Sequence, residues 1–386
     1  MLLDMPSNLK APYVSLHHAT DDAPSLFTFS ARSQAEGTFS FFKSSREEKL
    51  NRYMFNCTAN SWYLDGVKDF AAGHDETLDR MRILLRSSSN PNSLFIGSSM
   101  GGYAATLFGA QCNARRVIAF GTEIITNLPC GYSRENLSHL TSASPYFHLD
   151  GFISQSHTLF DFIAGEFCPV DLFGAAAACQ HANSRMHVIA GARHVAVKTI
   201  KDAGLLPSVV DAGLEHRPII FPRELRVVPV IGDFLDGYAY QFDVQGYKKF
   251  LSDYSDFYVN HKPSIRVEDF FEVFTFLYKS GLFNEAGRIL DIYIKRYGED
   301  EHVLLRRMQI LYRTKKYTEI LALPNVETNG DAQYFKAASA ARSGDSALAQ
   351  HYLSHGFSIA ESTKNSHLKK SLTDLQKNLC IPVTGT

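Results

Sequence analysis

The chain lacks any run of 18 consecutive apolar residues, so no segment reads as a membrane-spanning helix. Its first residues, Met1-Leu2-Leu3-Asp4-Met5-Pro6, have neither the basic segment nor the apolar stretch of a secretory signal, and a cytoplasmic protein is expected. Excess charge is missing too. Lys and Arg number 39 against 40 Asp and Glu, a net charge of −1, and no basic run or basic-aromatic stripe occurs. Nothing here is built to track a nucleic-acid backbone. Cysteine is sparse: the six residues at 57, 112, 130, 168, 179 and 380 form no C-x-x-C pair. That indicates neither a zinc site nor a disulfide framework, and the thiols are expected to be buried apolar groups. What remains, 386 residues of which 45% are hydrophobic and 20% charged, suffices for a large core and two domains.

Over the first two thirds, short apolar strands alternate with helical stretches, the pattern of an α/β domain with a mostly parallel sheet. Strands are expected at 25–30, 52–56, 94–96, 116–120 and 186–190. A helix is expected from Asp75, with Leu78, Met81, Leu84 and Leu85 on its buried face. A last strand is expected at 225–231, where Pro229 confines it to a sheet edge. Segment 125–185 carries Tyr132, Tyr146, Phe147, Phe152, Phe160, Phe162 and Phe167 and reads as a lid-like insertion over a cleft.

The most informative stretch is Gly97-Ser98-Ser99-Met100-Gly101, directly behind Leu94-Phe95-Ile96 and ahead of Gly102-Tyr103-Ala104-Ala105. It reads as a strand, a sharp turn with Ser99 at its apex, and a helix that starts at once. Glycines two residues either side let the two backbones approach. The same turn aims the Met100 N–H at the space above Ser99, where an oxyanion would form.

The stretch from Gly97 to Ala105 resembles the active-site elbow of the α/β-hydrolase superfamily, especially its esterases and acyltransferases. The resemblance covers about the first 255 residues. It implies a Ser-acid-His triad in that chain order, an oxyanion hole, and neither metal nor cofactor. The loop 31–37 after the first strand occupies the position that supplies the second oxyanion donor in that superfamily, so Arg32 or a backbone N–H there is the candidate. The superfamily places its histidine just after the last strand, and this chain departs from that: no His follows residue 231 until His261. The best-placed alternative is His194, beyond the 186–190 strand. His216, His148 and His157 stand behind it, while His187 reads as a core residue and His74 as part of a helix cap. For the acid, Glu123 follows the strand after the elbow and is the first choice, ahead of Asp171 and Asp233; Asp202 reads as already inside a helix.

Beyond residue 255 the chain is helical. Tyr278–Ala286 aligns with Tyr312–Ile320 and with Ala341–Ala349, at spacings of 34 and 29 residues. The pattern resembles tetratricopeptide-type hairpins, which imply a protein-binding surface. The expectation is therefore an esterase or acyltransferase domain at 1–255, acting through acyl-Ser99 on a small-molecule or carbohydrate ester, with a helical-repeat domain at 256–386. A polysaccharide or glycoconjugate acceptor comes from similarity to elbow-plus-repeat proteins, with no sugar-reading motif behind it. The alternative is a non-catalytic hydrolase-fold scaffold whose triad is incomplete.

Overall fold

The computed structural model describes residues 8–45, 49–226, 235, 241–261 and 266–378. The chain divides into two compact units, Met1–Leu251 and Ser252–Thr386.

The first unit is built on one sheet. Its strands are β1 (Asn8–Lys10), β2 (Val14–His17), β3 (Ser25–Phe29), β4 (Asn51–Phe55), β5 (Ser93–Ser98), β6 (Arg116–Phe120), β7 (Leu159–Gly165) and β8 (Ser184–Ile189), in the spatial order β1-β2-β4-β3-β5-β6-β7-β8. Only β1 and β2 run antiparallel to their neighbours; β4 through β8 pair in parallel. Helices flank the sheet: α1 (His74–Arg86), α2 (Met100–Cys112), α3 (Asp150–Ser154), α4 (Pro169–Ala178), α5 (Ala196–Asp202) and α6 (Leu206–Leu214). The architecture is that of an α/β-hydrolase-like domain.

Central strands covered on both faces must be apolar on both, and the residues divide accordingly. Phe27, Phe95, Val117 and Phe160 belong to the core on one face, with Tyr103, Leu107 and Phe108 of α2. Leu26, Leu94, Ile118 and Ile163 belong to the core on the other, with Ile200 of α5 and Val209 and Val210 of α6. Phe27 stacks on Phe95 with ring centroids 4.3 Å apart. One polar cluster interrupts this apolar filling. Arg116 of β6 and Asp161 of β7, each 1% exposed, pair at 2.7 Å. His187 of β8 reaches the other Asp161 oxygen at 2.9 Å, and the guanidinium also donates to the Ala212 carbonyl. Three strands are thereby joined through one buried carboxylate, and α6 is tied to them by the guanidinium.

Two expectations change. Segment 125–185 is not a single insertion, because it contains β7 and α4, both integral to the domain. Phe160 and Phe162, read above as lid aromatics, are packed strand residues with parallel rings 5.9 Å apart. The stretch outside the sheet is shorter, running from the end of β6 to α3, with an isolated bridge between Ile125 and His148. The expected last strand at 225–231 lies mostly outside the described residues. Its first part forms a short turn, Arg223–Leu225, followed by a bridge from Arg226 to Ile189.

A helix α7 (Val244–His261) contains the boundary between the units. In the second unit α8 (Val267–Lys279), α9 (Phe283–Tyr297), α10 (Glu301–Arg313), α11 (Tyr317–Ala322), α12 (Gly330–Arg342), α13 (Ser346–Ser362) and α14 (Ser366–Asn378) follow, each packed on its successor. The three aligned segments are its hairpin turns. Each reverses through one residue of positive φ at the same place in the alignment: Gly281 (80°), Lys315 (61°) and Gly344 (85°). Among the described residues no helix is long and apolar enough to cross a membrane.

Candidate active site

The site is assembled at the carboxyl ends of β5, β6, β7 and β8. β5 ends at Ser98 and α2 begins at Met100, so Ser99 alone makes the turn, with φ 55°. A non-glycine residue held there marks a strained backbone at a sharp strand-to-helix elbow. A Cβ on Gly97 would lie 2.0 Å from the Gly101 carbonyl oxygen, and one on Gly101 would lie 2.2 Å from that of Phe29. The glycines are therefore required by close approach of β5, α2 and β3. The Ser99 N–H donates to the Phe120 carbonyl at 2.8 Å and fixes the turn against β6. At the first position of α2, the Met100 N–H has no acceptor among the described residues and lies beside Ser99, at the positive end of the helix dipole.

His194 stands in the loop between β8 and α5. Its Nε2 is 2.8 Å from Ser99 Oγ. Its Nδ1 lies 2.9 Å and 3.2 Å from the two oxygens of Asp171, in the first turn of α4. The imidazole is 12% exposed and the carboxylate 1%. Gly121, just past β6, makes room for this loop: its φ is +53°, and a Cβ there would meet the His194 carbonyl oxygen at 2.1 Å. Ser99, His194 and Asp171 thus form one hydrogen-bonded chain contributed by the β5–α2 elbow, the β8–α5 loop and the first turn of α4.

The carboxylate on His194 is Asp171, not Glu123. Glu123 is 3% exposed and accepts from the backbone N–H groups of Tyr132 and Ser133 and from the Ser133 hydroxyl. The positive φ of Gly121 turns the chain two residues before Glu123, which sends its side chain into the 131–133 turn. Tyr132 returns from that turn to stack on the imidazole, with centroids 3.7 Å apart and planes 18° from parallel.

Electrostatics follow from this packing. Burial alone lowers the pKa of His194. It is outweighed by the charge and hydrogen bond of Asp171 and by the charge of Glu123, so the net shift is upward although Arg32 opposes it. Burial pushes the Glu123 carboxyl up to about 7, against the Ser133 hydrogen bond and the His194 charge, which favour ionisation. Cys168, at the N-cap of α4, offers a thiol near Asp171 and His194, the three ligand-capable atoms lying within 4.8 Å of one another. Both imidazole nitrogens already serve Ser99 and Asp171, so metal binding would break that chain. Burial holds the thiol protonated, its pKa well above the ordinary range.

The other candidates among the described residues make no hydrogen bond with Ser99, His194 or Asp171. The Arg32 guanidinium pairs with Glu135 at 3.2 Å and makes no hydrogen bond in the Ser99 centre. His148 is half-buried, its backbone bridging to Ile125. His157 is exposed, its backbone N–H bonded to Asn113. His216 follows α6 with φ 59°, and His187 is the partner of Asp161. His74 opens α1 beside Asp75 and stacks on Phe108. Asp202 ends α5. Asp233 lies outside the described residues.

No protein-family model matches the chain, and no curated protein matches it. Among solved structures it is similar to the capsule O-acetyltransferase of Neisseria meningitidis serogroup A, at 15% identity over 52% of this chain and 90% of that one, with a TM-score of 0.39. It is similar to Thermogutta terrifontis esterase 2, at 12% identity over 57% and 98%, TM-score 0.38. It is also similar to the glycosylation associate protein (Gap123) complex from Streptococcus agalactiae, at 17% identity over 51% of this chain but only 43% of that one, TM-score 0.39. The chemistry rests on the hydrogen bonds around Ser99.

Proposed function

We propose that the first unit is a serine-dependent esterase or acyltransferase working through an acyl-Ser99 intermediate. The observation that carries this reading is the continuous chain Ser99 Oγ, His194, Asp171, at 2.8 Å and 2.9 Å, on a strand-to-helix elbow. Ser99 Oγ attacks the carbonyl carbon of an acyl donor while His194 Nε2 takes its proton. Asp171 holds Nδ1–H and offsets the imidazolium charge, and the Met100 N–H faces the oxygen that becomes negative. Collapse of the tetrahedral intermediate breaks the bond to the leaving group, which departs with the proton from Nε2. In the second half Nε2 takes a proton from an acceptor hydroxyl or water, the acceptor oxygen attacks the acyl carbon, and Ser99 leaves and regains the proton.

Hydrolysis and transfer differ only in which acceptor reaches the acyl-enzyme, so water and a glycan hydroxyl are the acceptors to compare. The scaffold reading drew its force from a missing histidine, and no feature of the site favours it. For the second unit we carry forward a recruiting role, supported by helices each packed on its successor and by three hairpin turns that share one place in the sequence alignment. The test is labelling of the full chain with a fluorophosphonate probe, wild type beside Ser99→Ala. Covalent labelling that disappears in the variant supports the reading, and a folded wild type that does not react refutes it.

A further inference from the structure

Glu123 is a fully buried carboxylate for which the mechanism above has no use. No cation pairs with it among the described residues. Its partners are two consecutive backbone N–H groups and one hydroxyl, all from the 131–133 turn. Buried carboxylates without a counter-charge are rare and concentrate where a site requires them. The Ser133 hydroxyl that donates to Glu123 accepts in turn from the Asn127 N–H at 3.0 Å, so the turn is held from both sides. Between the two bonded amides projects Tyr132, whose ring lies on His194.

We infer that Glu123 is a positioning residue. Its carboxylate clamps the 131–133 turn so that the Tyr132 ring stays face to face with the His194 imidazole, holding that ring in the plane that serves Ser99 and Asp171 together. The inference rests on the proposed roles of Ser99 and His194 and extends them. An imidazole hydrogen-bonded at both ends can still swing about the axis joining its two nitrogens, and a ring stacked at 3.7 Å removes that freedom. The ring face also meets the positive charge that His194 acquires during reaction. The groups facing His194 are then Asp171 and Ser99 at its edge, Tyr132 on its face, and the charges of Glu123 and Arg32 farther off.

The experiment measures the rate of Ser99 labelling by a fluorophosphonate against pH, using the full chain in wild-type, Glu123→Ala, Glu123→Gln, Tyr132→Leu and Glu123→Ala/Tyr132→Leu forms. Each Ala or Leu single variant is expected to label roughly 10- to 100-fold more slowly, the scale of a misplaced catalytic group. The double variant should be no slower than the worse single, because both remove one device. Gln keeps an acceptor for the Tyr132 N–H and should recover most of the rate. Rescue by an uncharged acceptor of nearly the same size, beside a slow Ala variant, is what a hydrogen-bonded clamp on the turn predicts. The inference is overturned if folded Glu123→Ala or Tyr132→Leu labels within twofold of wild type, or if their losses multiply in the double variant. Should Glu123→Ala fail to fold, Tyr132→Leu and Glu123→Gln decide: an undiminished rate in the first, or a Gln variant as slow as Tyr132→Leu, overturns it. A wild type that labels while the variants behave as wild type sinks this inference alone. A folded wild type that does not label removes the functional reading and this inference with it.

Discussion

Asp171→Asn discriminates between the two buried carboxylates. Asparagine has nearly the volume of aspartate, so the packing at the start of α4 should survive, but its charge is lost and one oxygen becomes an NH2 donor. Both Asp171 oxygens now face Nδ1, at 2.9 Å and 3.2 Å. An amide turned with its NH2 toward Nδ1 stabilises the tautomer protonated on Nε2, which cannot take the Ser99 proton. Turned the other way, it keeps one hydrogen bond but supplies no charge against the imidazolium. The loss expected for this change in a Ser-His-acid site is on the order of 10⁴-fold in the acylation rate, about 5 kcal/mol of barrier. The acidic limb should also move down, because burial depresses the His194 pKa and the charge and bond of Asp171 are the main forces raising it. The assay is the pH dependence of fluorophosphonate labelling, with Ser99→Ala as the blank and thermal melts to confirm folding. Glu123→Gln, which touches His194 only through Tyr132, should lose far less. Labelling of Asp171→Asn within tenfold of wild type, with a 10⁴-fold loss in Glu123→Gln, would refute the assignment and make Glu123 the triad acid.

Three further outcomes are expected. Burial raises the Glu123 carboxyl from 4.5 to about 7, so the folded chain holds a proton there that the unfolded chain releases. Stability should therefore fall as pH rises through that window, by about 3 kcal/mol from this group. His194, also raised, acts in the same direction, because its contribution is lost as pH rises through its folded value. Glu123→Gln should flatten the urea midpoint between pH 5 and 8, and an unchanged slope would count against the cause given. Gly121→Ala should cut Ser99 labelling about 100-fold, since its Cβ would displace the His194 carbonyl and residues near φ +53° resist a side chain; a wild-type rate would show that the loop adapts freely. Asp161→Ala strands the Arg116 guanidinium, 1% exposed, and should destabilise the first unit by about 3–5 kcal/mol. Thermal melting reads this as a drop of roughly 10 °C, and a loss below 1 kcal/mol would mean that water or backbone solvates the arginine.

Much of the first unit was legible because its signals are local. The residues of β3, β4, β5, β6 and β8 form short runs bounded by turns, and the elbow announces itself through two glycines whose absent Cβ atoms leave room for neighbouring backbone. His194 was reachable by position alone: the loop leaving β8 at its carboxyl end lies on the same edge of the sheet as Ser99. The hairpin turns of the second unit were legible for a related reason, since Gly281, Lys315 and Gly344 recur at one place in the alignment and all have positive φ. β7 was missed because Leu159-Phe160-Asp161-Phe162-Ile163 reads as an aromatic patch around a charge. Only the partners Arg116, buried, and His187, half-buried, make Asp161 acceptable inside a strand, and they are contributed from elsewhere in the chain.

That omission carried the acid with it. With β7 read as lid, Asp171 had no strand to follow, although Cys168-Pro169-Val170-Asp171 holds a usable signal: Pro at the first position of a helix and an acidic residue in its first turn. Glu123, by contrast, followed a recognised strand directly. Sequence spacing does not rank two carboxylates that each follow a strand. The ranking is made by backbone direction, since the left-handed turn at Gly121 carries the chain away from His194 before Glu123 is reached, while α4 brings Asp171 up to Nδ1 with its helix N-terminus behind it. Burial of a carboxyl diverted in this way raises its pKa, and what holds it there are the hydrogen bonds it accepts from the Tyr132 and Ser133 N–H groups and the Ser133 hydroxyl. Glu123→Gln should therefore lose less stability than wild type as pH rises while keeping most of the labelling rate, whereas Glu123→Ala leaves the Tyr132 and Ser133 N–H groups unpaired and should lose both stability and rate.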